Sequence, residues 1–382
     1  MKTLNCRISI GKWEFDFVHS VEIVSSWDTL TDTCTITLPR NIKYTRNNQE
    51  LTNIFEGPDA VFFRGDKVKV ELGYDGEFTV LFGGYVADVR NDKPTEILCE
   101  DPMYQLKQSW IDKLNLPAGK LSTLINTLLG DGSFENERGF LFGDDPEFEV
   151  ADNSRVISDI DISEWAVANT TIAKVLDKLR KNSGIATYFR PELDGEGNLF
   201  YRFVCGLPYS TEDGYRTKRD TLSDGGIQFQ EDPLQSGLNQ GFQTNFEFGK
   251  NIISDSDLIY KSRENIRVLV IGNSRQKDNT VLTYQAGTTG GDVVEFNIPN
   301  LTQESLEQMV QSRLDNTLYE GFAGTMKAFL EPTVRHGETV KMKNVYNADN
   351  NGVFLIKKVV TTFGVNGARQ MITLDNKIED VT

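Results

Sequence analysis

Histidine, clustered cysteine and long apolar runs are what this 382-residue chain has least of. Its two histidines, His19 and His336, have no serine or cysteine context that could complete a nucleophilic triad, and no nucleophile elbow is present. A His/Cys metal site would need more ligands than the chain offers. His336-Gly337-Glu338 opens like a zinc deaminase signature, but no Pro-Cys-x-x-Cys follows, so it reads as a strand-opening turn. No phosphate loop occurs, and Gly195-Glu196-Gly197 lies in a hairpin turn. Asp144-Asp145, Asp255-Ser256-Asp257 and Asp349-Asn350-Asn351-Gly352 lack the bidentate Glu of a calcium loop and read as solvated turns. No catalytic, cofactor-binding or metal-binding residue is assigned, and no cofactor is expected.

The remaining scarcities bound location. No apolar run approaches the length of a membrane span, so no membrane insertion is expected. The N-terminus has no apolar signal core. Cys6, Cys34, Cys99 and Cys205 are far apart in apolar contexts, which predicts reduced, buried thiols in a chain made in a cytoplasm. Basic residues are outnumbered 40 to 56, for a net charge of −16, which excludes a general nucleic-acid binder. It leaves room for a surface that stays near nucleic acid without trapping it. Paired carboxylates among 56 acids carry no information about glycoside chemistry.

What is abundant is alternation. In Phe63–Val89, Val68, Val70 and Leu72 alternate with charged residues, Gly73-Tyr74-Asp75-Gly76 supplies a turn, and Phe78, Val80 and Phe82 resume the period. His336-Gly337-Glu338-Thr339-Val340-Lys341-Met342 echoes Arg64-Gly65-Asp66-Lys67-Val68-Lys69-Val70, and Val353–Ile356 follows its own Asn-Gly turn. Extending the echo sets Asn5–Ile10 against Asn265–Val270, Pro39 against Pro299, and Asp101 against Asp375. Landmarks in order at nearly constant offsets predict an internal duplication. Arg64-Gly65-Asp66, which matches an adhesion tripeptide, reads instead as a turn that needs its glycine.

Four segments follow. Residues 1–100 read as a first small β-barrel, with a loop and helical turn around 41–57. Residues 101–205 read as an α+β middle domain. It has helices over Met103–Leu114, Leu121–Leu129 and from Thr170 to Gly184, a long loop at Gly130–Asn153, and a hairpin of Ile185–Arg190 with Asn198–Val204. Residues 206–262, including Asp224-Gly225-Gly226 and Gln235–Asn245, read as an extended connector. Residues 263–382 read as a second barrel with a helix over 302–319. The predicted class is mainly β, two similar barrels bracketing an α+β insert.

The run Phe63–Tyr74, then Leu81-Phe82-x-Gly84-x-Val86 and Leu98-Cys99-Glu100-Asp101, resembles the first barrel of the baseplate hub proteins of contractile-tailed phages. That family includes the late control protein D group and the tail proteins of Mu-like prophages. Asn169–Leu176 with Gly184-Ile185 is similar to its middle-domain helix. His336–Val340, Gly352–Ile356 and Asn366-Gly367-x-Arg369 are similar to its closing barrel. The resemblance implies a non-enzymatic structural protein of the virion tail, assembled in the bacterial host cytoplasm. It implies a homotrimer whose six barrels form a pseudo-sixfold ring, adapting the sixfold tail tube to a threefold spike. The implied partners are the tube protein, a separate central spike (the chain ends soon after its second barrel), other baseplate proteins, and phage DNA passing through without specific binding. A carbohydrate- or receptor-binding β protein and a cell-wall hydrolase are the competing readings.

Overall fold

A computed structural model describes residues 3–39, 43–46, 49–52, 61–90, 94–129, 155–157, 161–162, 164–183, 185–193, 197–206, 217–221, 227–231, 243–254, 257–262, 266–318, 321–343 and 351–380. The chain is mainly β, as its alternation predicts. Strands Leu4–Ile10, Lys67–Tyr74, Glu77–Arg90, Thr95–Glu100, Thr33–Leu38 and Ser20–Ser26 lie side by side in that order, each antiparallel to the next. Ile8, Ile10, Ile36, Val68, Val70, Leu72 and Ile97 point inward from alternating positions and are fully or almost fully buried.

A second unit has its own order: Gln243–Glu247, Thr339–Lys343, Gly352–Gly364, Gly367–Asp380, Thr325–Phe329 and Ile252–Ser254. The last two continue as Gly321–Ala323 and Ile259–Lys261, which also pair with each other. Its core is Phe246, Phe322, Met326, Val340, Phe354, Ile356 and Ile372. Only the first pair of this unit, Gln243–Glu247 with Thr339–Lys343, is parallel.

The same turn opens the hairpin of each unit. The Gly65 N–H donates to the Val86 carbonyl (2.8 Å) and the Val86 N–H to the Asp66 carbonyl (2.9 Å). Gly337 donates to Ile356 (2.7 Å), and Ile356 to Glu338 (2.9 Å). The acid side chain accepts from the residue three before it in both cases, Asp66 from Phe63 at 2.8 Å and Glu338 from Arg335 at 2.9 Å. Both glycines have positive φ, +92° and +73°, which explains why the turn needs them. A bulge follows each anchored residue, between Val86 and Asp88 and between Ile356 and Lys358.

Two closed barrels are expected from the sequence, yet among the described residues no sheet closes on itself. The reason lies at the edge of the first unit. Ser20–Ser26 pairs along seven residues with Lys358–Gly364 of the second unit, so that edge extends the sheet rather than closing it. Leu330, Phe363 and Ala368 accordingly pack into the first unit's core.

Helices Leu121–Leu129 and Ile172–Ser183 and the hairpin of Ala186–Leu193 with Leu199–Gly206 form the α+β insert. Their buried side chains share one cluster with strand Val268–Arg275 and helix Gln303–Thr317, the latter capped by the Thr302 hydroxyl at 3.2 Å from Ser305 N. Strand Val268–Arg275 therefore belongs to a separate three-stranded sheet, with Val281–Gly287 and Asp292–Asn297. This corrects the matching of Asn5–Ile10 with Asn265–Val270 and of Pro39 with Pro299. The strand beside Thr339–Lys343 is the polar Gln243–Glu247, whereas apolar strands resemble one another because they draw on few residue types.

Two local expectations also change. The predicted helix over Met103–Leu114 ends at Leu106, and Trp110–Leu116 is a strand pairing with Trp165–Thr171, where cross-strand partners override local period. The described part of 41–57 is a hairpin, Lys43–Arg46 with Gln49–Thr52. The loop at Gly130–Asn153, Asp224-Gly225-Gly226, most of Gln235–Asn245, the acidic residues Asp144, Asp145, Asp255 and Asp349, and Asn350 lie outside the described residues. No described helix is long and apolar enough to cross a membrane.

Phe363 is 6% exposed and sits in the core of a unit distant from it in sequence, whereas nearby Val365 is 62% exposed. Phe363→Ala is expected to cost about 3–5 kcal/mol and Val365→Ala less than about 0.5 kcal/mol. Thermal unfolding of the two variants measures the difference.

Candidate functional site

Polar groups converge where the two β units meet the α+β insert. The turn after Ser20–Ser26 presents Trp27, Asp28 and Asp32, hairpin Ala186–Leu193 supplies Tyr188 and Arg190, and the second unit's opening turn supplies Arg335, His336 and Glu338. Trp27 packs on Ala186, Tyr188 and Val204.

Asp32 is the centre. Its Oδ2 accepts from the Ser25 hydroxyl at 2.5 Å, its Oδ1 accepts from the Ser26 N–H at 3.0 Å, and His336 Nε2 lies 3.5 Å from Oδ2. Its own N–H donates to Asp101 Oδ2 (3.0 Å), while Asp101 N–H donates back to the Asp32 carbonyl (3.0 Å). Asp101 Oδ1 accepts from Met103 N–H and so fixes the short helix that follows.

Two arginines tie the units together. Arg335 donates through Nη2 to the Val80 carbonyl (2.7 Å) and through Nη1 to the Pro191 carbonyl (3.3 Å), binding all three parts at once. Arg190 donates to the His336 carbonyl at 2.5 Å, lies 3.9 Å from Glu338 Oε1, and stacks over Tyr188. A third, Arg180, donates to the Asp28 carbonyl (2.8 Å), and Lys357 pairs with the Asp28 carboxylate (3.0 Å).

Burial sets the charge states. His336 is 2% exposed, and burial lowers its pKa more than Asp32 raises it, so the imidazole is held neutral against the edge of the Tyr188 ring. Burial, reinforced by the Asp32 charge, pushes Asp101 well above the usual carboxylate range. For Asp28 burial acts upward, but the Ser26 hydroxyl and Lys357 outweigh it and the pKa is lowered.

The order of these groups differs from that of a hydrolytic triad. In a hydrolytic triad the imidazole stands between hydroxyl and carboxylate; here the Asp32 carboxylate stands between Ser25 and His336, so the imidazole does not face the hydroxyl. The cavity beside it, lined by Asp32, Asp101, Phe189, Arg190, His336 and Val359, holds about 40 Å³. That is room for about one water-sized molecule, far below a ligand pocket.

Of the histidines weighed from sequence, His336 enters the junction and His19 lies exposed, away from it. The Arg64-Gly65-Asp66 tripeptide is used up in its turn, with Arg64 over the Tyr104 ring. All four cysteines are free and buried; burial raises the Cys6 thiol to about 11 and the other three further. No group of three or more metal-ligating side chains occurs among the described residues. Asp32, Arg190 and Arg335 were not singled out in the sequence, and Asp101 was marked only as a landmark of the repeat. They come from four distant stretches of sequence, and none sits in a motif that announces its partners in the junction.

No protein-family model matches the sequence, and no curated protein matches it. Solved structures do. A tail protein from Neisseria meningitidis MC58 aligns over 98% of this chain and 97% of its own, with TM-score 0.59 and 12% identity. The 43 kDa tail protein of prophage MuSo2 from Shewanella oneidensis aligns over 99% and 100%, with TM-score 0.54 and 12% identity. The chain has the tail-protein fold. In that fold the polar junction is the place where three parts of one chain are clamped into a single body.

The neutral, buried His336 gives the clamp a pH signature. Its pKa is lowered on folding, so the unfolded chain binds the extra proton more readily. The associated stability is present above the unfolded value of about 6.5 and lost as pH falls below it. Asp101, raised on folding, works in the opposite sense, losing stability as pH rises through its folded pKa. The difference in melting temperature between His336→Gln and the parent chain is therefore expected to move in the variant's favour as pH drops from about 7 to 5, which thermal unfolding at the two pH values measures.

Proposed function

We infer that this chain is a structural protein of a contractile phage tail, a baseplate hub acting as a homotrimeric adaptor between the sixfold tail tube and the threefold central spike. The observation that carries this reading is the recurrence of one strand arrangement in a chain with the tail-protein fold. Both units order their strands alike around a hairpin opened by the same glycine turn and bent by the same bulge. We take this as an internal duplication. A surface presented twice per chain, in three chains, offers six similar seats, which is what a sixfold tube requires for equivalent contacts.

The first unit corresponds to residues 1–100, and the α+β middle begins at 101. Packing supports assigning 266–318 to that middle. The second unit then consists of the strands from 243–261, within the expected connector, and of residues 321–380. Each unit of such a ring buries an obligate-type interface, on the order of 2,000 Å² or more.

The partners follow from that role: the tube protein on one side, the spike on the other, and further baseplate proteins at the rim. The excess of acid, −16 in net charge, suits a conduit through which phage DNA slides without being held. Assembly takes place in the host cytoplasm, and the product sits in the virion tail. The function is mechanical, and the proposed role includes no enzymatic step.

Sedimentation or mass photometry of the purified protein tests this. The expected particle is about three times the 43.0 kDa chain. A monomer at every concentration examined, or a closed dimer, contradicts the adaptor.

A further inference from the structure

The joint inside one chain has an unfilled counterpart at each end. Within the chain, the edge strand of the first unit, Ser20–Ser26, pairs antiparallel with Lys358–Gly364 of the second unit's long strand. In the second unit, the place of Ser20–Ser26 is taken by Ile252–Ser254 and Ile259–Lys261, because each is the strand outside the one that pairs with the closing strand. In the first unit, the place of Lys358 is taken by Asp88, the first residue past the bulge that follows the anchored Val86. Neither counterpart has a second strand along its outer edge among the described residues. Each side of the joint is thus repeated once, and each repeat is open among the described residues.

We propose that these two open edges join copies of this chain: Asp88–Arg90 of one copy adds antiparallel to the Ile252–Lys261 edge of the next. This rests on the trimeric reading above and specifies its interface. Three properties of the edges fit a second copy. First, the strand at the open edge of the second unit exposes Ile253 (40%) and Ile259 (64%), apolar side chains that an edge left to solvent usually avoids. Second, an antiparallel run with Asp88 opposite Lys261 of the partner strand brings opposite charges together. Third, the contact is heterologous, second unit to first, so it passes from copy to copy and closes only as a ring. The joint within the chain spans seven residue pairs, whereas Asp88–Arg90 offers three described residues, so the joint between chains is the shorter one.

Cysteines placed across the proposed joint test it in the full chain. Asp88→Cys with Lys261→Cys, mildly oxidised, is expected to yield covalent dimers and trimers on a non-reducing gel, while either substitution alone yields no covalent trimer. The native thiols, all buried, give a low background. Particles of trimer mass that stay uncrosslinked overturn the joint and leave the adaptor reading standing. Monomers that neither associate nor crosslink overturn both. A second variant avoids dependence on disulfide geometry. Ile259→Lys, at an exposed site, is expected to keep the melting temperature of the monomer and weaken trimer formation about tenfold or more. Unchanged trimer formation in that variant overturns the joint as well.

Discussion

The pairing of Ser20–Ser26 with Lys358–Gly364 is the constraint on which the rest of the structure depends. Two β units far apart in sequence could have been beads on a string, free to rotate. Seven paired residues fix them in one register, since a slip of one residue would turn every side chain to the wrong face. At a net worth of about 1 kcal/mol per backbone hydrogen bond, that ladder is comparable with the stability of a small domain. Phe363 and Ala368, buried in the first unit's core, add packing to the ladder. A long strand can serve two neighbours because it bends: Gly352–Gly364 pairs with Thr339–Lys343 along its first half and with Ser20–Ser26 along its second, with bulges between.

The polar junction complements the ladder by locking the insert to it. Ladder bonds are alike along a strand, whereas Arg335, reaching Val80 and Pro191 at once, fits one relative placement of three parts. Arg190 is held between Tyr188, the His336 carbonyl and Glu338, and its charge is sustained because those neighbours outweigh the burial that opposes it. A buried network of this kind specifies geometry more than it adds stability, and among the described residues it leaves the His336 Nδ1 without a hydrogen-bond partner. In the proposed adaptor, geometry would be the function: the angle between the two units in one chain would set the angle that the ring repeats.

Much of this was legible in the residues. The alternation of Val68, Val70 and Leu72 gave a half-buried strand, Thr302 gave a helix start, and the echo of Arg64-Gly65-Asp66 in His336-Gly337-Glu338 pointed to one turn used twice. What failed did so for physical reasons. Barrel closure depends on where an edge strand finds its partner, and the partner of Ser20–Ser26 lies more than three hundred residues away. The N-terminal landmark of the repeat was misplaced because Asn265–Val270 has the right apolar period, while the polar strand Gln243–Glu247 that occupies the position has none. Met103–Leu114 has helical spacing, but Trp165–Thr171 recruits its second half as a strand. The junction was invisible because Asp32, Asp101 and Arg190 acquire meaning only from one another.

Amide hydrogen exchange along the assembled chain addresses the central claim directly. If the two units are welded by the ladder, the amides of residues 20–26 and 358–364 that bridge them exchange as slowly as those of the hairpin 352–380 around them. Fast exchange in 20–26 and 358–364, with 352–356 still protected, would mean that the units are only loosely tethered, and the account of a fixed angle between them would be wrong.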